Sequence, residues 1–468
     1  MWGFLFLGAY FVLFVAPGNS NAQATIHFPV LSAGEASTTK TDANAFSQPS
    51  GNMSFERRLD FSVGNSFFRN PWVKAPASTK ARDGLGPLFN TNGCQNCHIK
   101  DGRGHLPLTA EDNAVSMLVR IGLRPESEQE WEVVRAHGAI PDPSYGTQIQ
   151  DFANDPVLAE AQIVVEYEKS YVELFGGEKL ELVKPKLRLT QLNYGPLDPR
   201  TQTSIRIASP MIGLGLLEAI PEETLAQYVD PNDKNGDGIS GRFNMVRDEA
   251  TDKMVVGRFG WKAEQPSLRQ QNAAAFVGDI GLTSSLFPRD TCQPKQVHCS
   301  QAPNGGTPEV SDKILDKVTF YTRNLAVPRR RNVDDPAVIE GSKRFMEADC
   351  HLCHRVGMLT AKLESQPEQS EIAIFPYTDM LLHDMGEGLT DNRPAFAAQG
   401  REWRTAPLWG IGLTKVVSGH ENYLHDGRAR TLMEAIMWHG GEAAASRKKV
   451  REMSPESRNA LVAFLKSL

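Results

Sequence analysis

The sequence predicts a mainly α-helical protein of two domains, the first of which is enlarged by a β-rich insertion. Three observations lead to this prediction. A C-x-x-C-H pentapeptide occurs twice, at residues 94–98 and 350–354; residues 117–200 contain runs of β-branched and aromatic residues; and an apolar repeat of helical period ends the chain. The length of 468 residues suffices for two or three cores, and the net charge of −6 argues against nucleic acid as a partner.

Each pentapeptide has the residues and spacing of a covalent haem attachment site. Positions i, i+3 and i+4 share one face of a helical turn, so two thiols can form thioethers with one porphyrin while the next His ligates its iron. A zinc knuckle or a dithiol redox pair also uses C-x-x-C, but the His after both second cysteines favours haem. The sequence therefore predicts two c-type haems, held by Cys94, Cys97 and His98 and by Cys350, Cys353 and His354.

The remaining cysteines and the N-terminus indicate an oxidising compartment. Cys292 and Cys299 lie seven residues apart and are expected to form a small disulfide. Residues 1–16 are almost wholly apolar and are followed by small residues, which is typical of a signal peptide over residues 1–22. A retained membrane anchor is the alternative, because no Lys or Arg precedes the apolar run. We expect secretion across the inner membrane into a bacterial periplasm.

Two haem domains are predicted because the motifs lie about 256 residues apart, which is more than one small cytochrome fold needs. We expect an N-terminal domain over residues 23–327, a linker over 328–335 and a C-terminal domain over 336–468. The three arginines at 329–331 are expected to be solvated, with a contact to haem propionates or to a redox partner as the alternative.

Both domains are expected to be cytochrome c-like, and the second shows why. A helical stretch near residues 338–346 leads into the second motif, and a closing helix begins with Ser454 as N-cap and Pro455 in the first turn. The apolar positions of this helix recur at i, i+3, i+4 and i+7, namely Leu461, Phe464, Leu465 and Leu468.

The first domain carries the β-rich insertion and an Asp-rich loop. Within about 117–200, the residues on either side of Gly176-Gly177 predict a hairpin. In the loop at 230–244, Asp233, Asn235 and Asp237 alternate as in the first half of a calcium site. The twelfth position, where a bidentate Glu belongs, is Asn244. Calcium and a metal-free Asx-rich turn therefore both remain open.

Four longer strings resemble the bacterial di-haem oxidoreductase family, whose members are also called thiol oxidoreductases and which is related to the di-haem cytochrome c peroxidases. These strings are GRFGWKA at 257–263, FPYTDMLLHDMG at 375–386, EWRTAPLWG at 402–410, and LHDGRARTL at 424–432 continued by WHGGE at 438–442. The resemblance implies a peroxidase-like enzyme with substrate chemistry at the N-terminal haem and electron transfer through the C-terminal haem. Its partners would be a small redox protein and an oxidant such as hydrogen peroxide.

The resemblance also implies roles for single residues. In the related peroxidases a His-Asp-Gly turn precedes the distal ligand of the C-terminal haem by fourteen residues, and His439 follows His425 by the same spacing. His439 would thus replace the usual Met. Trp261 would relay electrons, Gln271 would order the distal pocket, and Asp279 would stand in for a catalytic Glu, although it falls two residues short of the spacing. For the N-terminal haem, His105, Met117 and Met211 could each reach the iron, but no spacing singles one out and a structural role is the alternative for each. We expect either an open distal site or one that is freed on reduction.

A non-catalytic electron carrier, with both irons six-coordinate, is the alternative to an enzyme. Thiol chemistry is disfavoured, because haem attachment would occupy all cysteines except Cys292 and Cys299.

Overall fold

The structure is a computed structural model that describes residues 28–107, 112 and 115–468. The predicted signal peptide, residues 1–22, lies outside the described residues. The helices, in chain order, are α1 Phe55–Arg69, α2 Cys94–Cys97, α3 Glu128–His137, α4 Leu214–Glu218, α5 Glu222–Ala226, α6 Leu268–Ala275, α7 Val297–Ser300, α8 Asp312–Arg323, α9 Pro336–Glu347, α10 Thr414–Ser418, α11 Leu432–Trp438, α12 Ala444–Glu452 and α13 Pro455–Ser467.

The strands form small two-stranded sheets throughout the described residues. They are β1 Ser37–Thr38, β2 Leu88–Phe89, β3 Met117–Leu123, β4 Phe152–Ala153, β5 Gln162–Glu173, β6 Lys179–Thr190, β7 Thr201–Ile207, β8 Met245–Asp248, β9 Lys253–Val256, β10 Val327–Pro328, β11 Met358–Leu359, β12 Ala373–Ile374, β13 Leu382–Asp384 and β14 Glu402–Arg404. The antiparallel pairs are β2–β4, β3–β7, β5–β6, β8–β9, β11–β12 and β13–β14, while β1 and β10 run parallel.

The prediction of a mainly α protein with two cytochrome c-like haem domains is wrong. Helices hold 31% of the structure and strands 18%, spread over many small sheets. Between the second motif and α11, β11–β12 and β13–β14 form two antiparallel ladders. Strands of two or three residues are too short to show an alternation of apolar and polar residues. The sequence therefore carries no sign of these strands.

The hairpin predicted around Gly176 and Gly177 is confirmed as β5–β6. Its strands pair over twelve positions, and the two glycines turn with φ of 92° and 81°, in the left-handed region that favours Gly. One end packs against the apolar cluster around Val119, and the tip packs through Leu182 into the cluster around Phe345. The hairpin therefore joins the core near the first motif to the core near the second.

Helices α9 and α13, which the sequence predicted, pack closely against each other. The Ser454 hydroxyl caps α13 by accepting from the backbone N of Ser457 at 3.3 Å. Gly341 lies where the two backbones approach, because a Cβ there would lie 1.9 Å from the carbonyl oxygen of Ala460. Only glycine allows this approach.

Replacing Gly341 by Ala is expected to lower the free energy of unfolding by roughly 1–3 kcal/mol, because the new methyl group forces α9 away from α13. Denaturant unfolding of the purified protein measures this. The control is Lys343→Ala on the exposed side of the same helix, which should change stability by less than about 0.5 kcal/mol. Equal stabilities of the two variants would contradict the close approach.

The three arginines expected to be solvated behave differently from one another. Arg329 is exposed, but Arg330 is only 4% exposed, and its guanidinium donates to the carbonyl of Phe28 at 3.1 Å and to the hydroxyl of Ser467 at 3.0 Å. The solvated interpretation is therefore wrong for Arg330. Hydrogen bonds to the two ends of the described chain replace its hydration.

The predicted disulfide between Cys292 and Cys299 is present, with Cα atoms 5.7 Å apart. It packs against Leu88 and Val157, close to the strand that leads toward the first motif. None of the helices in the described part of the chain combines the length and the apolar character that a membrane span needs.

Candidate functional site

The second C-x-x-C-H motif lines an apolar cavity. Cys350, Cys353 and His354 contribute to its wall, together with His439 and Met385. Much of the remaining wall is apolar, with Phe345, Leu408, Ile411, Leu432, Ile436, Leu461 and Leu465. The fold thus gathers both cysteines and both predicted iron ligands around one space.

The two histidines of this cavity are oriented in the same way. Nδ1 of His354 donates to the carbonyl of Tyr377 at 2.9 Å, and Nδ1 of His439 donates to the carbonyl of Ala435 at 2.7 Å. Because a carbonyl only accepts, Nε2 keeps the lone pair in each ring. Burial lowers the pKa of both imidazoles, and lowers the pKa of His354 to about 4. Two neutral imidazoles with free Nε2 atoms are suitable ligands for one iron.

Two buried guanidinium groups line the same cavity without forming an ion pair among the described residues. Arg103 is 6% exposed, its Nε has no hydrogen-bond partner, and its Nη1 reaches only the carbonyl of Leu424 at 3.4 Å. Arg404 donates only to the carbonyls of Gly260 and Thr405. Burial lowers both pKa values to about 10, so both groups stay charged at neutral pH. Such cations suit the propionate carboxylates of a haem, and the donor set of the cavity therefore fits that group.

A buried histidine beside Cys353 lies between two carboxylates. Nδ1 of His383 is 2.7 Å from Oε2 of Glu442, and its Nε2 is 2.9 Å from Oδ2 of Asp379. Although burial opposes the charged form, these carboxylates raise the pKa of His383 well above its usual value. Glu442 also accepts from the backbone N and the hydroxyl of Ser240, both at 2.9 Å. The Asp-rich loop is thereby attached to the cavity wall.

The first four residues of the first motif form α2, and His98, the last residue of the motif, follows directly. Nδ1 of His98 donates to the carbonyl of Ser209 at 2.8 Å, and burial lowers the pKa of the imidazole to about 4. The ring of Phe68 lies 6.2 Å from the imidazole, between ring centres. Cys94, Cys97 and a neutral imidazole at the end of a short helix thus give the same donor set as the second motif, and they fit a second haem.

Asp279, which the resemblance implied as a catalytic acid, lies next to the residues that precede the first motif. It belongs to a π-helical turn, Phe276–Ile280, that follows α6, and such turns are frequent at functional sites. Its carbonyl oxygen accepts from the backbone N of Asn90 at 2.8 Å and of Thr91 at 3.0 Å, just before α2. After burial, the charge of Asp279 is the next cause that raises the pKa of the Cys94 thiol to about 12.

The carboxyl group of Asp279 has an unequal pair of oxygens. Oδ1 accepts from Nε2 of Gln148 at 2.9 Å, whereas Oδ2 has no hydrogen bond among the described residues. Burial raises the pKa of Asp279, and the charge of Arg120 and the bond from Gln148 oppose this rise. Asp279 therefore offers one fixed oxygen and one available oxygen next to the first motif.

Trp261 lies between the two sites. Its indole lines the cavity of the second motif, and it also packs against the cluster of Leu106 and Met117 that follows the first motif. Its Nε1 donates to the carbonyl of Ile207 at 2.9 Å, and the guanidinium of Arg103 lies 5.6 Å from its ring centre. The relay role that the resemblance implied for Trp261 stays a prediction.

Other predicted residues are less closely tied to a site. The side chain of Gln271 is half-buried on α6 and makes no hydrogen bond within the described residues. Met117 belongs to the same cluster as Trp261, and Met211 packs in the core that borders Cys94. His105 bonds the carbonyl of Leu106 and lines an open pocket with Gln95, Asn96, Ile99, Asp112, Val115 and Ser116.

The Asp-rich loop is an exposed series of Asx turns. Both carboxylate oxygens of Asp233 lie 3.1 Å from the backbone N of Gly238, and Oδ1 of Asp237 accepts from the backbone N of Ile239 at 2.9 Å. Asn235 donates to Oδ2 of Asp237 at 3.0 Å. The twelfth position does not join them, because Asn244 is 1% exposed and its amide is bonded to backbone groups of residues 262, 395 and 397.

Sequence reasoning missed Gln148, Arg103, Arg404 and the carboxylate-flanked His383. His383 and Arg404 stand in two of the four strings, so their positions were visible although their partners were not. Gln148 and Arg103 carry no such pattern: a buried Gln and an Arg without a carboxylate partner are recognisable only from their neighbours in space.

Two haem-binding donor sets, one beside a half-buried carboxyl group and one in a cavity with paired histidines, define a di-haem redox protein. The chain belongs to the di-haem oxidoreductase family, since residues 29–468 match the family described as "di-haem oxidoreductase, putative peroxidase". A comparison with curated proteins finds no match. Membership confirms the resemblance, and it makes the chain an oxidoreductase with two haems.

Proposed function

We propose that the protein is a periplasmic peroxidase-like enzyme that reduces hydrogen peroxide at the first motif and receives electrons through the second. The observation that carries this proposal is the difference between the two sites. Asp279, with Oδ2 unbonded, lies beside the first motif, whereas His354 and His439 line one cavity at the second. One site thus has a group that can move a proton, and the other has ligands that can saturate an iron.

Reduction of hydrogen peroxide to two water molecules consumes two electrons and two protons. A haem held by Cys94, Cys97 and His98 would supply the iron and the electrons. The part of the chain is proton transfer: Oδ2 of Asp279 can take the proton from the near oxygen of peroxide and return it to the far oxygen, which leaves as water. Burial raises the pKa of Asp279, and the charge of Arg120 opposes this rise.

The second motif supports electron transfer instead. Two neutral imidazoles from His354 and His439 would leave no position for peroxide, and two imidazoles give a lower potential than His with Met. Trp261 lines this cavity and packs toward the first motif, and we assign it the electron relay between the sites. A small redox protein would deliver the electrons.

Three further assignments belong to this proposal. Covalent attachment through the four motif cysteines is supported by the His that follows each pair. Periplasmic location is supported by the apolar residues 1–16 and by the disulfide. Calcium at Asp233, Asn235 and Asp237 stays a prediction, which calorimetric titration can test. The hydrogen bonds of the Asx turns in this loop form without a cation.

The test is the reaction of the purified holoprotein with hydrogen peroxide. We expect two haems per chain that remain attached after denaturation, one low-spin six-coordinate signal by electron paramagnetic resonance, and a second iron with an exchangeable position in the active redox state. Peroxide should then change the Soret band and be consumed when an electron donor is present. Two six-coordinate haems in every redox state, with a Soret band that peroxide leaves unchanged, would identify a non-catalytic electron carrier instead.

A further inference from the structure

We propose that Gln148 is the positioning residue for Asp279: its carboxamide holds Oδ1 in place and leaves Oδ2 to exchange protons with the substrate. The proposal rests on the proposed function, because it assigns Asp279 the proton transfer. It goes beyond the resemblance, which assigned the ordering of this pocket to Gln271.

Gln148 is built into the protein at this point. Its side chain is 5% exposed, and its Nε2 lies 2.9 Å from Oδ1 of Asp279, 2.9 Å from the carbonyl oxygen of Gly278 and 2.6 Å from Oδ1 of Asn90. All three neighbours are acceptors, so they require the amide nitrogen, and not the amide oxygen, at this place.

The orientation of the amide is fixed by the next side chain. Nδ2 of Asn90 donates to the carbonyl of Ile149 at 2.8 Å and to Oδ1 of Asp151 at 2.7 Å. Because both N–H groups of Asn90 Nδ2 donate to these acceptors, the amide oxygen Oδ1 faces Gln148 and accepts from its Nε2. The chain Asp151–Asn90–Gln148 therefore points a donor at Asp279, and a flip of the Gln148 amide would place its oxygen opposite three acceptors.

The backbone of Gln148 is held by strand β3. Gln148 and Arg120 form an antiparallel bridge, flanked by the hydrogen bonds from Ile121 N to Thr147 O and from Ile149 N to Val119 O, both 2.9 Å. Residues directly opposite each other project to the same face, so Arg120 stands beside Gln148. Arg120 forms no salt bridge within the described residues, and its charge acts on Asp279.

The other charged or titratable groups near Asp279 are few. Arg120 comes from β3, Asp151 lies behind Asn90, and Cys94 and Cys97 of α2 are the predicted haem attachment points. Loss of the bond from Gln148 should therefore act on Asp279 in one direction, because it removes a donor that favours the carboxylate.

The experiment compares Gln148→Leu with Gln150→Leu in the holoprotein. Gln150 is a matched control, because it is 3% exposed and its amide bonds the same Gly278 carbonyl at 2.7 Å without touching the carboxyl group of Asp279. We expect Gln148→Leu to lower kcat/KM for hydrogen peroxide about tenfold or more and to move the acid limb of its pH profile to higher pH. Gln150→Leu should lose less than about threefold, and combining Gln148→Leu with Asp279→Asn should cost no more than Asp279→Asn alone.

A second readout does not depend on turnover. The infrared band of the protonated Asp279 carboxyl, assigned by its loss in Asp279→Asn, should titrate at higher pH in Gln148→Leu than in the wild type. If Gln148→Leu incorporates little haem, Gln148→Glu keeps the shape and should raise the titration pH further. Equal titration in the wild type and the variants, or equal losses in Gln148→Leu and Gln150→Leu, would overturn the proposal. If the wild type does not react with peroxide but the infrared titration still shifts in Gln148→Leu, the proposed function is wrong, while the contact between Gln148 and Asp279 is supported.

Discussion

Replacing Asp279 by Asn is expected to lower kcat/KM for hydrogen peroxide by roughly 10²–10⁴-fold, because the amide cannot take a proton from one peroxide oxygen and return it to the other. The shape of the side chain and the contacts of its backbone carbonyl with Asn90 and Thr91 remain, so haem content should not change. Stopped-flow spectroscopy of the Soret band over a range of peroxide concentrations measures the rate.

Two further variants make this result specific. Asp279→Glu restores the acid that the related peroxidases use, and it should retain more activity than Asp279→Asn. Asp334→Asn removes an exposed carboxylate, and it should leave the rate within about twofold of the wild type. A rate in Asp279→Asn equal to the rate in Asp334→Asn would show that Asp279 moves no proton in the reaction.

Replacing His439 by Met is expected to raise the reduction potential of the second haem by on the order of 0.1 V or more, because a thioether favours ferrous iron over ferric iron more than an imidazole does. The cavity has room for this change, since Met385 already lines the same wall. Spectroelectrochemical titration gives the potential, and the near-infrared ligand band gives the ligand.

The exposed His137 on α3 supplies the control, since His137→Met should leave both potentials unchanged. An unchanged potential in His439→Met would mean that another side chain ligates the iron. In that case the potential of Met385→Leu shows whether Met385 is the ligand, because its thioether lines the same cavity.

Much of the local structure followed from short patterns. The disulfide between Cys292 and Cys299, the hairpin turn at Gly176-Gly177 and the capped start of α13 at Ser454 were all predicted and are all present. Each depends on residues within a dozen positions of one another, so the physical cause lies inside the segment that shows the pattern.

The fold class failed for the complementary reason. Pairs such as β1 with β10 and β2 with β4 join two-residue segments that are distant in sequence, and their hydrogen bonds depend on how the rest of the chain brings them together. The prediction that Arg330 is solvated was wrong for the same reason. The local sequence, an arginine between a proline and an acidic stretch, is typical of an exposed segment, but both ends of the described chain bury this side chain.

The sequence by itself determined the family and the two C-x-x-C-H motifs, because two cysteines and a histidine at a fixed local spacing can be recognised without the fold. The candidate acid stays a prediction. Only the tertiary structure decided which groups surround the motifs and this acid. Gln148 reaches Asp279 across 131 positions, and Arg103 reaches the cavity of a motif that begins at Cys350. A hydrogen bond or a buried charge is set by distance in space, and the close packing of distant segments leaves no periodic trace in the sequence.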